Sequence, residues 1–164
     1  MIKKIIIHES LLTRFKGTAF NAVPFEHIEA ILGKQVKEVL YVYALAEIKI
    51  FSMTNTKDMK IISYYPPEED IQADTGYKYF GSLHTHPNGD ISPSTEDIAD
   101  FIRGETEEFY WEGEEQVEIL NEKIMGIMSI RRRKKVYEIG IVFYNTDMEK
   151  LELVITENRK KGRQ

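Results

Sequence analysis

Apolar residues recur along this chain in two rhythms, and the changes between them mark out its elements. Residues 2–8 form an almost unbroken apolar run around Ile5, Ile6 and Ile7, ending at His8, which predicts a buried strand. Over residues 10–21, Leu11, Leu12, Phe15, Ala19 and Phe20 fall near helical spacing, which predicts an amphipathic helix. Residues 28–32 read as a strand, 38–46 and 47–54 as two consecutive strands able to form a hairpin, and 61–64 as a short fourth strand. Two prolines and several acidic residues open the stretch 66–73, which suits a short helix. Residues 77–83 are rich in aromatics and read as a strand running into a turn at Asn88-Gly89-Asp90, with Pro87 and Pro93 on either side. A helix start follows at Ser94, with the helix ending near Gly104. Residues 124–130, 136–144 and 150–156 predict three closing strands. This order is that of an α/β domain without internal repeats.

Length changes the picture little. A chain of 164 residues suits one domain, here residues 1–156, and buries about 70% of its unfolded surface. Residues 157–164 read as a basic, flexible tail. The sequence has no cysteine, which argues against a disulfide framework and suits the cytoplasm. The apolar run at the N-terminus is too short for a signal peptide, and no run approaches membrane-spanning length. The formal net charge of −5 argues against general nucleic-acid binding.

The strongest chemical signal is His84-Thr85-His86-Pro87, followed after six residues by Ser94 and then Asp97. Two of the chain's four histidines stand here, two residues apart. Residues i and i+2 of a strand share a face, so both rings can be offered to one ion. Asp97 falls in the first turns of the following helix, where the chain has returned toward the strand end. Imidazole nitrogens and a carboxylate are ordinary zinc ligands, and three protein ligands leave the fourth tetrahedral position open, as in catalytic sites. The residues thus predict one zinc ion per chain, held by His84, His86 and Asp97.

His-Thr-His-Pro, six residues, then Ser-x-x-Asp resembles the JAMM (MPN-plus) metalloprotease signature. That signature also carries an upstream glutamate in a segment reading Pro-x-Glu, then an apolar run ending in glycine. Here Pro24, Glu26, the run through Ile28, Ala30, Ile31 and Leu32, and Gly33 stand at the matching offsets. The resemblance extends over about residues 2–156. It implies a curved mixed β-sheet flanked by helices, the cytidine-deaminase-like JAMM/MPN fold. It further implies that Glu26 is the general base, taking a proton from zinc-bound water and returning it to the leaving amine. Ser94 is then the hydrogen-bond donor to the developing oxyanion, a role worth about 2.7–4 kcal/mol in other systems. Two positions depart from the family pattern: Glu29 stands where glycine is common, and Thr85 where serine is. Glu29 is therefore a second candidate for the base, although only Glu26 keeps the spacing from Pro24 and to Gly33. His27 reads as a surface or packing residue, and His8 carries no site signal.

Residues 105–118 hold seven glutamates around Phe109, Tyr110 and Trp111. Such a stretch reads as a solvated loop. In the JAMM family the segment after the zinc-binding aspartate is often an insertion that grips substrate, so the three aromatics are candidate substrate contacts. The basic run of residues 131–135 reads as a hairpin loop. On the resemblance, the expected function is a zinc-dependent isopeptidase or peptidase. It would cut after the C-terminal di-glycine of ubiquitin or a ubiquitin-like modifier, with that modifier and its conjugates as partners and no membrane or nucleic acid. The alternative is a non-catalytic MPN-type scaffold. Such proteins have lost zinc ligands, whereas this chain keeps them.

Overall fold

The computed structural model describes the backbone of residues 1–47, 50–55, 60–64, 77–107, 109–112, 115–118, 122–133 and 136–158. It describes side chains over 1–46, 77–101, 122–131 and 139–158. The first strand, β1 (Lys4–His8), alternates burial along its length, with Ile5 and Ile7 almost fully enclosed. Helix α1 (Glu9–Ala22) follows at once, because His8 caps it: the ring Nδ1 accepts the Ser10 N–H at 3.1 Å. Its buried residues Leu12, Phe15 and Ala19 recur at three and four residues and lay one stripe against the sheet. Strands β2 (Ile28–Val36) and β3 (Val39–Glu47) form a hairpin whose turn holds Lys37 at φ 55°.

Strand β4 (Ile50–Asn55) pairs with β5 (Lys60–Tyr64) in a separate two-stranded sheet. The hairpin expected between residues 38–46 and 47–54 therefore does not form. Strand β6 (Lys78–His86) ends on the histidine motif, and α2 (Thr95–Glu107) starts after the turn that follows, running three residues past Gly104. The acidic segment holds a small hairpin of β7 (Phe109–Glu112) and β8 (Glu115–Glu118) instead of an irregular loop. Strands β9 (Ile124–Arg133), β10 (Val136–Tyr144) and β11 (Glu152–Thr156) complete the order. Arg131, Arg132 and Arg133 were expected in a hairpin loop and instead belong to β9, paired with Glu138, Tyr137 and Val136. The helix expected over 66–73 lies outside the described residues, as do residues 159–164 of the tail.

Seven strands make one mixed sheet in the order β10-β9-β6-β2-β3-β1-β11. The β6–β9, β1–β3 and β1–β11 pairs are parallel and the others antiparallel. The α/β expectation, a mixed sheet flanked by helices, is met. No helix among the described residues is long and apolar enough to cross a membrane.

One face of the sheet packs on α1 through the main core, with Ile5, Ile7, Phe15, Leu40, Phe80, Leu83 and Phe143 among its members. The opposite face carries two smaller clusters. One is Ala30 and Leu32 with Tyr79, and the other is Met125, Ile127 and Tyr144 with Phe101 of α2. Both faces of the central strands are thus covered, which is why β2 is buried without alternation from Glu29 to Gly33.

A bulge in β6 decides which residues reach which face. Leu32 pairs with Tyr79, but Ala30, two residues away, pairs with Ser82, three residues on. The extra residue falls beside Gly81, whose φ of +108° suits glycine and whose missing Cβ would lie 2.0 Å from the Ile124 carbonyl oxygen. Without that extra residue, everything beyond it would turn to the other face of the sheet.

Candidate metal centre

The site stands where β6 runs out. His84 and His86 alternate with Thr85, so their rings lie on the face away from α1, each only 7% exposed. Their Nε2 atoms are 3.2 Å apart. Asp97 Oδ2 lies 3.0 Å from His86 Nε2 and 3.4 Å from His84 Nε2. One possible ligand atom from each of the three residues thus falls within 4.8 Å of the others.

Local rules fix the carboxylate. Ser94 is the residue before α2, its Oγ accepts the Asp97 N–H at 3.0 Å, and its own N–H donates to Asp97 Oδ2 at 2.9 Å. This reciprocal arrangement satisfies helix-end donors and locks the aspartate in the first turn. The Ser-x-x-Asp spacing is therefore explained by helix capping, and the oxygen that caps is also the one that faces the imidazoles. The Asp90 carbonyl orients the second ring, with His86 Nδ1 lying 2.9 Å from its oxygen. A carbonyl only accepts, so that nitrogen carries the hydrogen and the lone pair sits on Nε2.

The donor set fits a metal ion. In neutral His86, Nε2 is an acceptor, and it faces a carboxylate oxygen and the Nε2 of a second imidazole. Acceptors crowded in this way need a cation among them, either a proton or a metal. The same arrangement shifts the ionisation of both groups. Asp97 hydrogen-bonding and burial have opposite effects on His86. The bond to Asp97, helped by the Asp90 carbonyl and the charges of Asp97 and Glu26, prevails and raises its pKa. Burial pushes Asp97 up, but hydrogen bonds from His84, His86 and the Ser94 N–H outweigh it and hold the carboxyl well below the usual range.

Glu26 precedes β2 and is exposed. Its position follows from Thr85, which is 1% exposed. The Thr85 N–H donates to the His27 carbonyl at 2.9 Å, and the His27 N–H donates to Thr85 Oγ1 at 2.8 Å. These bonds hold His27 against Thr85 one residue beyond Ile28↔His84, and the charge of Glu26, the next residue back, acts on His86. Glu29 pairs in register with Leu83 and faces α1. It is fully buried in an ion pair with Arg14, and it takes a further hydrogen bond from His27 Nε2 at 2.7 Å. Burial pushes its pKa up, but His27 and Arg14 outweigh that and lower it. His27 packs its ring on Phe15, with centroids 5.3 Å apart, and also stands on the α1 side.

The sequence-expected residues His84, His86, Asp97 and Ser94 are thus brought together, Glu26 is near enough for its charge to act on His86, and Glu29 lies behind the sheet. Phe109, Tyr110 and Trp111 lie on β7, and their side chains are outside the described ones. Thr85 and the Asp90 carbonyl were not expected to take part. The Asn88-Gly89-Asp90 turn was legible, but the aim of a backbone carbonyl has no sequence signal.

No protein-family model matches the chain, and no curated protein matches it. Solved structures do. A JAB1/MPN domain protein from Archaeoglobus fulgidus is similar over 94% of this chain and 99% of that chain, with 22% identity and a TM-score of 0.49. A structure described as "JAMM: A Metalloprotease-like Zinc Site in the Proteasome and Signalosome" is similar over 96% of this chain and 100% of that one, with 22% identity and a TM-score of 0.47. A protein from Desulfitobacterium hafniense, solved in solution, is similar over 96% and 97% of the two chains, with 14% identity and a TM-score of 0.58. At these identities the likeness speaks to the fold. The chain shares its fold with the Desulfitobacterium protein.

Proposed function

We propose that this chain is a zinc-dependent isopeptidase or peptidase that cuts the amide after the C-terminal di-glycine of ubiquitin or a ubiquitin-like modifier. One observation carries the reading: His84, His86 and Asp97 each offer one ligand atom, all within 4.8 Å of one another. Held by those three residues, zinc would supply a Lewis acid that polarises an amide carbonyl and makes water far more acidic.

The chain's own groups supply the remainder. Glu26, whose charge reaches His86, takes a proton from the attacking water and hands it to the departing amine. The Ser94 Oγ accepts from the Asp97 N–H, which leaves its hydroxyl hydrogen able to donate to a carbonyl oxygen gaining charge. Thr85 ties the Glu26 segment to the metal-bearing strand through two hydrogen bonds, so that base and ligands keep their spacing. The Asp90 carbonyl keeps His86 in the tautomer that presents Nε2. The β7–β8 hairpin, joined to the end of α2 and carrying Phe109, Tyr110 and Trp111, is the surface that grips the modifier.

The test compares wild type with Glu26→Gln for zinc content and for cleavage of ubiquitin-like fusions. Stoichiometric zinc in both, with cleavage by wild type alone, is the expected result. No zinc in metal-replete protein would overturn the proposal and leave the scaffold reading. Equal cleavage by Glu26→Gln would remove Glu26 from its assigned role.

A further inference from the structure

A second feature lies at the other end of the same two strands. Six residues separate Ile28 from Lys34 on β2 and His84 from Lys78 on β6, a distance of about 20 Å in extended chain. There a groove of about 610 Å³ opens, lined by Gly33, Lys34, Lys37, Tyr43, Tyr77 and Lys78 among others. Its three lysines are exposed, and none makes an ion pair among the described residues. They stand together on a chain whose formal net charge is −5.

Strand β2 stays paired with β3 as far as Val36↔Val39, but with β6 only as far as Gly33↔Lys78. Along residues 34–36, the side of β2 that β6 covers further down has no strand partner among the described residues. A free strand edge offers N–H and C=O groups in alternation, and a peptide in extended form matches both. The aromatic pair disfavours a nucleic acid. Tyr43 and Tyr77 pack on each other, with centroids 5.1 Å apart and planes at 55°, instead of standing apart as stacking platforms for bases.

We propose that this groove docks an extended acidic peptide segment of a partner protein. The segment adds a short strand along residues 34–36 of β2, which lack a second strand partner among the described residues, and sets its carboxylates against Lys34, Lys37 and Lys78. Alternating carboxylates suit this edge, because every second side chain of the added strand faces the same way. The groove needs no metal and is separate from the His84–His86–Asp97 site.

The probe is a fluorescein-labelled peptide of alternating glutamate and valine, followed by anisotropy against the full chain. Binding is expected at low ionic strength, to weaken with added salt and to be unchanged by chelator. The variant K34Q/K37Q/K78Q, with wild-type circular dichroism, is expected to bind at least about tenfold more weakly, on the order of 1.4 kcal/mol. Absence of binding, or equal binding by the variant, overturns the proposal. So does a single-stranded oligonucleotide that binds more tightly than the peptide through the same lysines. Self-association of wild type that the variant abolishes would show a second copy in the groove and overturn the partner assignment.

Discussion

Replacing Glu29 with glutamine keeps the side-chain volume and removes one charge from the interior. Glu29 is 0% exposed and accepts from Arg14 Nη2, from Arg14 Nη1 at 3.2 Å and from His27 Nε2 at 2.7 Å. A glutamine amide has one acceptor oxygen, so its NH₂ must face at least one of these donors. Breaking a buried ion pair by removing one partner costs about 3–5 kcal/mol. Arg14 is 45% exposed and keeps its bond to the Leu45 carbonyl at 3.1 Å, so part of its charge stays solvated. The low end, about 3 kcal/mol, is therefore expected. That corresponds to a fall in Tm of about 6–12 °C for a domain of this size.

The loss also has a pH signature. The folded pKa of Glu29 lies below its ordinary value of 4.5, so its contribution is fully present above that value and fades as pH falls through the folded pKa. Urea unfolding of wild type and Glu29→Gln from neutral to acid pH should show the gap between them shrinking below about pH 4.5. Zinc content should not change, because Glu29 faces α1. A gap under about 1 kcal/mol at neutral pH, the size of a surface pair, would refute the reasoning. So would loss of cleavage at unchanged stability, which would mark Glu29 as the base.

Thr85→Val keeps the shape between the two histidines but takes away the acceptor for the His27 N–H. It should cost about 1–3 kcal/mol in urea unfolding and lower kcat with zinc still bound, since the Glu26 segment loses a tie to the site. Gly81→Ala puts a methyl 2.0 Å from the Ile124 carbonyl oxygen at a φ of +108°. Strain at such a φ alone costs about 1–3 kcal/mol, so the clash should take the total above 3 kcal/mol, read as a fall in Tm together with loss of bound zinc. Unchanged Tm would mean that the bulge does not set the facing of the two histidines.

The His84–His86–Asp97 group was legible because both of its spacings are local. Strand alternation brings His84 and His86 to one face, and the capping pattern from Ser94 to Asp97 fixes where a helix can begin. Glu26 was singled out only through the family resemblance, since its segment is tied to β6 by a contact between His27 and Thr85, almost sixty residues apart. In the sequence Glu29 reads as a second candidate for the base, and only Arg14, brought across from α1, shows it as half of a buried ion pair. Strand pairing was the least readable level. Residues 47–54 carry the pattern of a strand, but nothing local says that β4 pairs with β5 and not with β3. The charges of Arg131, Arg132 and Arg133 suggested a loop, yet the β9–β10 ladder continues through all three, because one face of an antiparallel pair can be wet.

Strand β1 lies between β3 and β11, so the opening strand is flanked on one side by the last strand among the described residues. Lys4 meets Glu152 and His8 meets Thr156, contacts across nearly the full length of the chain. During synthesis β1 can dock on β3 early, but its other edge stays open until β11 leaves the ribosome. Pairings of such long range slow folding, because loop entropy must be lost before the contact forms. Until then Ile5, Ile6 and Ile7 form an apolar edge open to association with other nascent chains, so truncation within β11 should lower soluble yield far more than the few residues removed would suggest.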